Sequence, residues 1–110
     1  MATIDASGVD PGLREVVDRI VREFSPSLVL MFGSRARGDA RADSDVDLLV
    51  VWKDEHLPAN PSAVIRCALG PVGFPMDLAV LTPSRFAELR SWRGHIVRTA
   101  AEEGVVLHAA

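Results

Sequence analysis

The sequence contains no tyrosine, so any reaction that modifies a tyrosine must find it on another molecule. Its single cysteine, Cys67, excludes an intramolecular disulfide and a cysteine-based zinc site. Of the twelve basic residues only Lys53 is a lysine, which leaves little room for lysine-based chemistry. Basic residues are outnumbered twelve to fifteen by acidic ones, a formal charge of −3. That balance disfavours extended nucleic-acid binding, which draws on clustered Lys and Arg. Long hydrophobic runs are missing too. Leu28 to Phe32, Leu48 to Trp52 and Leu78 to Leu81 are the longest, far short of a membrane span. The opening residues MATIDASGVD carry neither a basic nor an apolar region, so no signal peptide is expected, and a cytoplasmic location is.

What is present is enough for one folded domain. The chain has 110 residues, of which 48% are hydrophobic and 25% charged, a mix that can bury a core. Residues 1–10 read as a loose lead-in. Asp10-Pro11 then starts a helix, with Asp as N-cap and Pro at the first helical position. Leu13, Val16, Val17, Ile20, Val21 and Phe24 follow at helical spacing, and Ser25-Pro26 stops the run. Leu28 to Phe32 is a short continuous apolar run, the mark of a buried strand, and Val46 to Trp52, apolar but for Asp47, reads as a second. Pro61 to Leu69 predicts a second helix, and Met76 to Leu81 a third strand. Thr82-Pro83 opens a helix across Phe86, Leu89 and Trp92, which Gly94 divides from a last one over Ile96, Val97 and Ala100. Gly104 stops that helix, leaving Val105 to Leu107 as a short edge strand. The alternation predicts an α/β (α+β) fold, a small mixed sheet backed by helices.

The chemistry is concentrated in carboxylates. Asp45 and Asp47 stand at i and i+2 where a strong apolar strand begins. Strand geometry puts both on one face, with Cα atoms roughly 6.5 Å apart, while Val46 points the other way, into the core. Two such carboxylates repel unless a cation lies between them, and oxygen-only ligands suit Mg²⁺. Asp77 opens the third strand in the same manner. If the second and third strands are neighbours, three carboxylates meet at one sheet edge and could serve two metals in a displacement at phosphorus. An isolated Asp at a strand end is more often a cap or a surface charge. The segment upstream raises the reading above that.

Gly33-Ser34 closes the first strand and opens a polar, Arg-rich stretch that runs through Ser44. Gly lets the backbone approach a ligand closely, and a following helix would aim its free N–H groups and the Ser34 hydroxyl at an anion. No Gly-Lys-Ser/Thr follows, so this is not a Walker A loop. Gly33-Ser34, ten intervening residues (35 to 44), Asp45-Val46-Asp47 and the later Asp77 are together far more specific than any part. The stretch GSRARGDARADSDVDLLVV closely resembles the nucleotidyltransferase signature of the DNA polymerase β superfamily. Within that superfamily the chain resembles the MNT (minimal nucleotidyltransferase) group, which includes the MntA-like antitoxins. The resemblance covers nearly the whole chain as one domain (1–110), including MDLAVLTP and, more loosely, the closing EEGVVLH.

That resemblance implies a polymerase-β-like nucleotidyltransferase fold and roles for named residues. Gly33 and Ser34 correspond to the turn that grips the nucleotide triphosphate, with Arg35, Arg37 and Ser44 assigned to the nucleotide side. Asp45 and Asp47 correspond to the pair that binds two Mg²⁺ ions, and Asp77 to the third carboxylate, which completes the metal site and helps activate the acceptor. The implied reaction moves AMP from ATP to an acceptor hydroxyl and releases pyrophosphate. MNT proteins are often paired with a HepT-like toxin, which the MntA type silences by adenylylating a tyrosine. A homo- or hetero-oligomer would fit this pairing. Two other functions compete: a binding-only antitoxin that covers its toxin, and a small-molecule transferase of the aminoglycoside-modifying sort. Only about thirty residues follow the third strand, little from which to build an acceptor pocket.

Other candidates read more plainly. Cys67 is expected as a packed core thiol in an apolar helix. His56, His95 and His108 lack metal-ligand spacing and suit surface or capping roles. Trp52 and Trp92 suit core or interface packing. The Asp54-Glu55 and Glu102-Glu103 pairs are expected as solvated faces, and Asp39 and Asp43 as solvent-facing residues.

Overall fold

The computed structural model describes residues 2–3, 11–33 and 45–110. The first helix, α1 (Pro11–Phe24), buries Leu13, Val16, Val17 and Ile20, the i, i+3, i+4, i+7 stripe. Each of those side chains contributes about 1.5–3 kcal/mol on leaving water. The helix ends where Ser25 turns to a φ of 49° ahead of Pro26. The strands β2 (Leu28–Phe32) and β3 (Val46–Val51) follow, both almost wholly buried. Next comes α2 (Pro61–Leu69), led in by Asn60 at a φ of 51°. Strand β4 (Met76–Leu81) precedes α3 (Pro83–Leu89), whose Thr82 Oγ1 accepts from the Arg85 N–H at 3.2 Å. In α4 (Ile96–Glu103) His95 is the cap, its Nδ1 accepting from Val97 N–H at 3.1 Å. The last strand is β5 (Val105–Ala109), and Ala2–Thr3 forms a short β1.

The five strands make one mixed sheet in the order β1-β5-β2-β3-β4. β2 is antiparallel to both β3 and β5, whereas β3–β4 and β1–β5 are parallel. The sheet buries both faces. On one, Val29, Met31, Val46, Leu48 and Val50 pack against α1 and Ile65 and Leu69 of α2. Trp52 joins this side, its ring 5.6 Å from that of Phe24. On the other face Leu30, Leu49, Val51 and Val106 pack under Phe86 and Leu89 of α3 and Val97, Ala100 and Ala101 of α4. Among the described residues no helix is long and apolar enough to cross a membrane.

Three expectations change. Val105–Ala109 is an inner strand, because β2 takes it on one side and β1 on the other. The lead-in is not wholly loose, since Ala2 and Thr3 pair with Val105 and Val106. Cys67 is exposed, lying on the outer side of α2 while Ile65 and Leu69 take the core positions. Glu55 is exposed as expected, and it is also bonded, accepting from the Ser84 hydroxyl and from Ser84 N–H at 3.0 Å. Those bonds, the hydroxyl's first, hold the Glu55 carboxyl below its usual range. The proposed N-cap Asp10 lies outside the described residues.

Candidate active site

Three strand ends build the site. Antiparallel pairing sets Phe32 of β2 opposite Asp47 of β3, and parallel pairing sets Asp77 of β4 on the other side of Asp47. Asp47 therefore sits in the middle, with an aromatic residue to one side and a carboxylate to the other. Asp45, two residues earlier and exposed, shares its face by strand alternation. Val46 between them is buried on the opposite face. The carboxylates thus fall on the α3/α4 side of the sheet, beyond the last buried residues of that face.

Backbone contacts hold this arrangement in register. Val46 N–H donates to Pro75 O at 2.9 Å, tying the starts of β3 and β4 together. Arg66 reaches from α2 to donate its Nη2 to Met76 O at 2.6 Å, which anchors β4 one residue before Asp77.

Gly33 ends β2 with a φ of 77°, a conformation L side chains rarely adopt. A β-carbon built there would overlap Oδ2 of Asp47 and come within 3.2 Å of its Cγ. Glycine at this position is required twice, by backbone angle and by the carboxylate packed against it. Beside the pair opens a cleft of about 190 Å³ lined by Phe32, Gly33, Asp47, Ile96, Thr99 and Glu103. Larger cavities of about 270 and 320 Å³ lie along α1 and include none of the three aspartates.

Of the residues singled out from sequence, Gly33, Asp45, Asp47 and Asp77 come to one edge of the sheet. Ser34, Arg35, Arg37 and Ser44, with Asp39 and Asp43, lie outside the described residues. Ile96, Thr99 and Glu103 are additions that sequence reasoning missed. Only the structure shows that Ile96, apolar like its core neighbours on the same helix, is 64% exposed and faces the cleft. Among the described residues, no three His, Cys, Asp or Glu side chains converge tightly enough to hold an ion as they stand. The fit to a divalent cation is one of backbone placement and donor type: three carboxylates, all oxygen, at adjoining strand ends.

Residues 13–107 match the family model of the nucleotidyltransferase domain. The chain belongs to that family. Two crystal structures share the fold of this nucleotidyltransferase domain. One is a candidate nucleotidyltransferase from Sulfolobus solfataricus, with a TM-score of 0.60 at 22% identity over 89% of this chain and 78% of that one. The other is described as a toxin-antitoxin with AMP-PNP, with a TM-score of 0.56 at 20% identity over 88% of this chain and 73% of that one. No curated protein matches the chain. At these identities the structural likeness speaks for the fold alone.

Proposed function

We propose that this nucleotidyltransferase domain transfers AMP from ATP to a hydroxyl, a tyrosine for preference, on a HepT-like toxin partner, and so acts as an antitoxin. The observation that carries the reading is the placement of Asp47 between Gly33 and Asp77 at one sheet edge. Gly33 supplies a backbone turn with no side chain of its own, packed against the Asp47 carboxylate, where a triphosphate can approach the backbone closely. The acceptor oxygen bonds to the α-phosphorus while the bond from that phosphorus to the bridging oxygen breaks, and pyrophosphate leaves. In this reading Asp77, at the start of the outer strand, takes the acceptor's proton. Asp45, Asp47 and Asp77 would hold divalent cations, two Mg²⁺ ions in this reading, which when bound neutralise charge on the phosphates. The absence of tyrosine from this chain fits an acceptor on another protein. The fold-level likeness to a structure described as a toxin-antitoxin with AMP-PNP supports the same class of partner. The reading takes the whole chain as one such domain, working in the cytoplasm.

The deciding experiment incubates the protein with ATP, Mg²⁺ and the product of a neighbouring helical reading frame, then weighs that product. A mass increase by whole AMP units is expected. Toxin neutralisation with no mass change would overturn the transfer reading in favour of simple binding.

A further inference from the structure

Helix α4 turns Val97, Ala100 and Ala101 into the core beneath it. Ile96, Thr99 and Glu103, at i, i+3 and i+7, form a second stripe, and all three line the cleft beside Gly33 and Asp47. Ile96 stays 64% exposed, an apolar surface left out of the core at the cleft's rim. The stripe has a polar end and an apolar end. Glu103 stands two residues before Val105, which pairs with Met31 close to the Gly33 turn. Ile96 lies about 10 Å further along the helix.

We propose that this stripe is the wall on which the domain holds the nucleoside half of its nucleotide, with Glu103 reading the ribose hydroxyls and Ile96 lying against the base. The inference rests on the nucleotidyl-transfer reading and extends it to nucleotide selection. The order along the wall is that of a nucleotide: the Gly33 turn for phosphate, Glu103 and Thr99 for the sugar, and Ile96 at the far end for an apolar ring face. An ionised carboxylate only accepts hydrogen bonds, and two neighbouring ribose hydroxyls are the donors that suit it. An acidic residue near a phosphate-binding turn reads the ribose in the same way in dinucleotide folds. The cleft, at about 190 Å³, is smaller than the ~300–1,000 Å³ of most ligand pockets and takes part of a nucleotide rather than all of it. Asp77, on the β4 side of Asp47, does not line it, so the wall is separate from the residue assigned to the acceptor.

Calorimetry with ATP and 2′-deoxy-ATP, each with Mg²⁺, tests this on the wild type and on Glu103→Gln, Thr99→Val and Ile96→Ala. A charged hydrogen bond to the ribose predicts that the wild type prefers ATP by about tenfold and that Glu103→Gln reduces this to about twofold. Ile96→Ala should weaken both nucleotides alike. Equal wild-type affinity for the two nucleotides overturns the role of Glu103 without any variant. Variants that bind as the wild type does, or that lose AMP transfer while binding is intact, overturn the nucleoside wall. A wild type that binds neither nucleotide overturns the transfer reading itself, a separate and distinguishable failure. All three substitutions are outside the core, and unchanged melting curves confirm the fold.

Discussion

The carboxylate of Asp47 occupies the space that a β-carbon on Gly33 would need. This one contact joins the end of β2 to the start of β3 and makes glycine and aspartate a matched pair. Gly33→Ala should cost roughly 1–2 kcal/mol from its left-handed backbone alone, and must also displace Asp47. Chemical denaturation should register the first effect and AMP transfer the second, with activity falling much further than stability.

Asp45 and Asp47 lie outside the packed core, so neutralising them should spare the fold. Asp45→Asn and Asp47→Asn are each expected to reduce AMP transfer by about 10²–10³-fold or more, the scale of losing a group that stabilises charge at a reacting phosphate. Labelled AMP incorporation, read beside circular dichroism, checks this. Incorporation at the wild-type rate would remove both residues from the chemistry. Chelation of divalent cations should silence the wild type in the same assay.

Glu55 joins the loop after β3 to the start of α3 through both Ser84 bonds. Its carboxyl is held below the ordinary value of 4.5, mainly by the Ser84 hydroxyl. A depressed folded value means the stabilisation is complete above 4.5 and lost as pH falls through the lowered value. Glu55→Ala should therefore melt below the wild type at neutral pH, with the gap closing in acid. A gap independent of pH would show that the bonds contribute little.

Cys67 is exposed, and its thiol should react with iodoacetamide in the folded protein without prior unfolding. Cys67→Ser should change stability by no more than about 0.5 kcal/mol, as surface substitutions do. Protection of the thiol until denaturation would return it to a buried position.

Much of this is readable from local pattern. β2 comes through because it is a continuous apolar run, β3 and β4 because each is apolar but for one aspartate, and α1 because its four buried residues repeat at helical spacing. Asp45, Asp47 and Asp77 are legible because each interrupts or precedes such a run. Other features escape because their partners are distant along the chain. Glu55 and Ser84 are 29 residues apart, and neither carries a local sign of the other. Val105 begins an inner strand only because Met31 and Ala2, far upstream, both pair with it. Cys67 misleads because a nine-residue helix with mostly apolar letters buries only Ile65 and Leu69. The stripe on α4 is hidden by a helix whose apolar residues are already explained as core.

The inner position of β5 has a consequence for the making of the protein. During synthesis α1, β2, β3 and β4 leave the ribosome in order and can associate as they come. The side of β2 that faces away from β3, from Leu28 to Met31, has no strand to pair with until residues 105–109 arrive. Ala2 and Thr3, made earlier, pair with the same residues. Closure of the sheet thus waits on residues 105–109, and an unpaired strand edge is a template for the wrong partner until they are made.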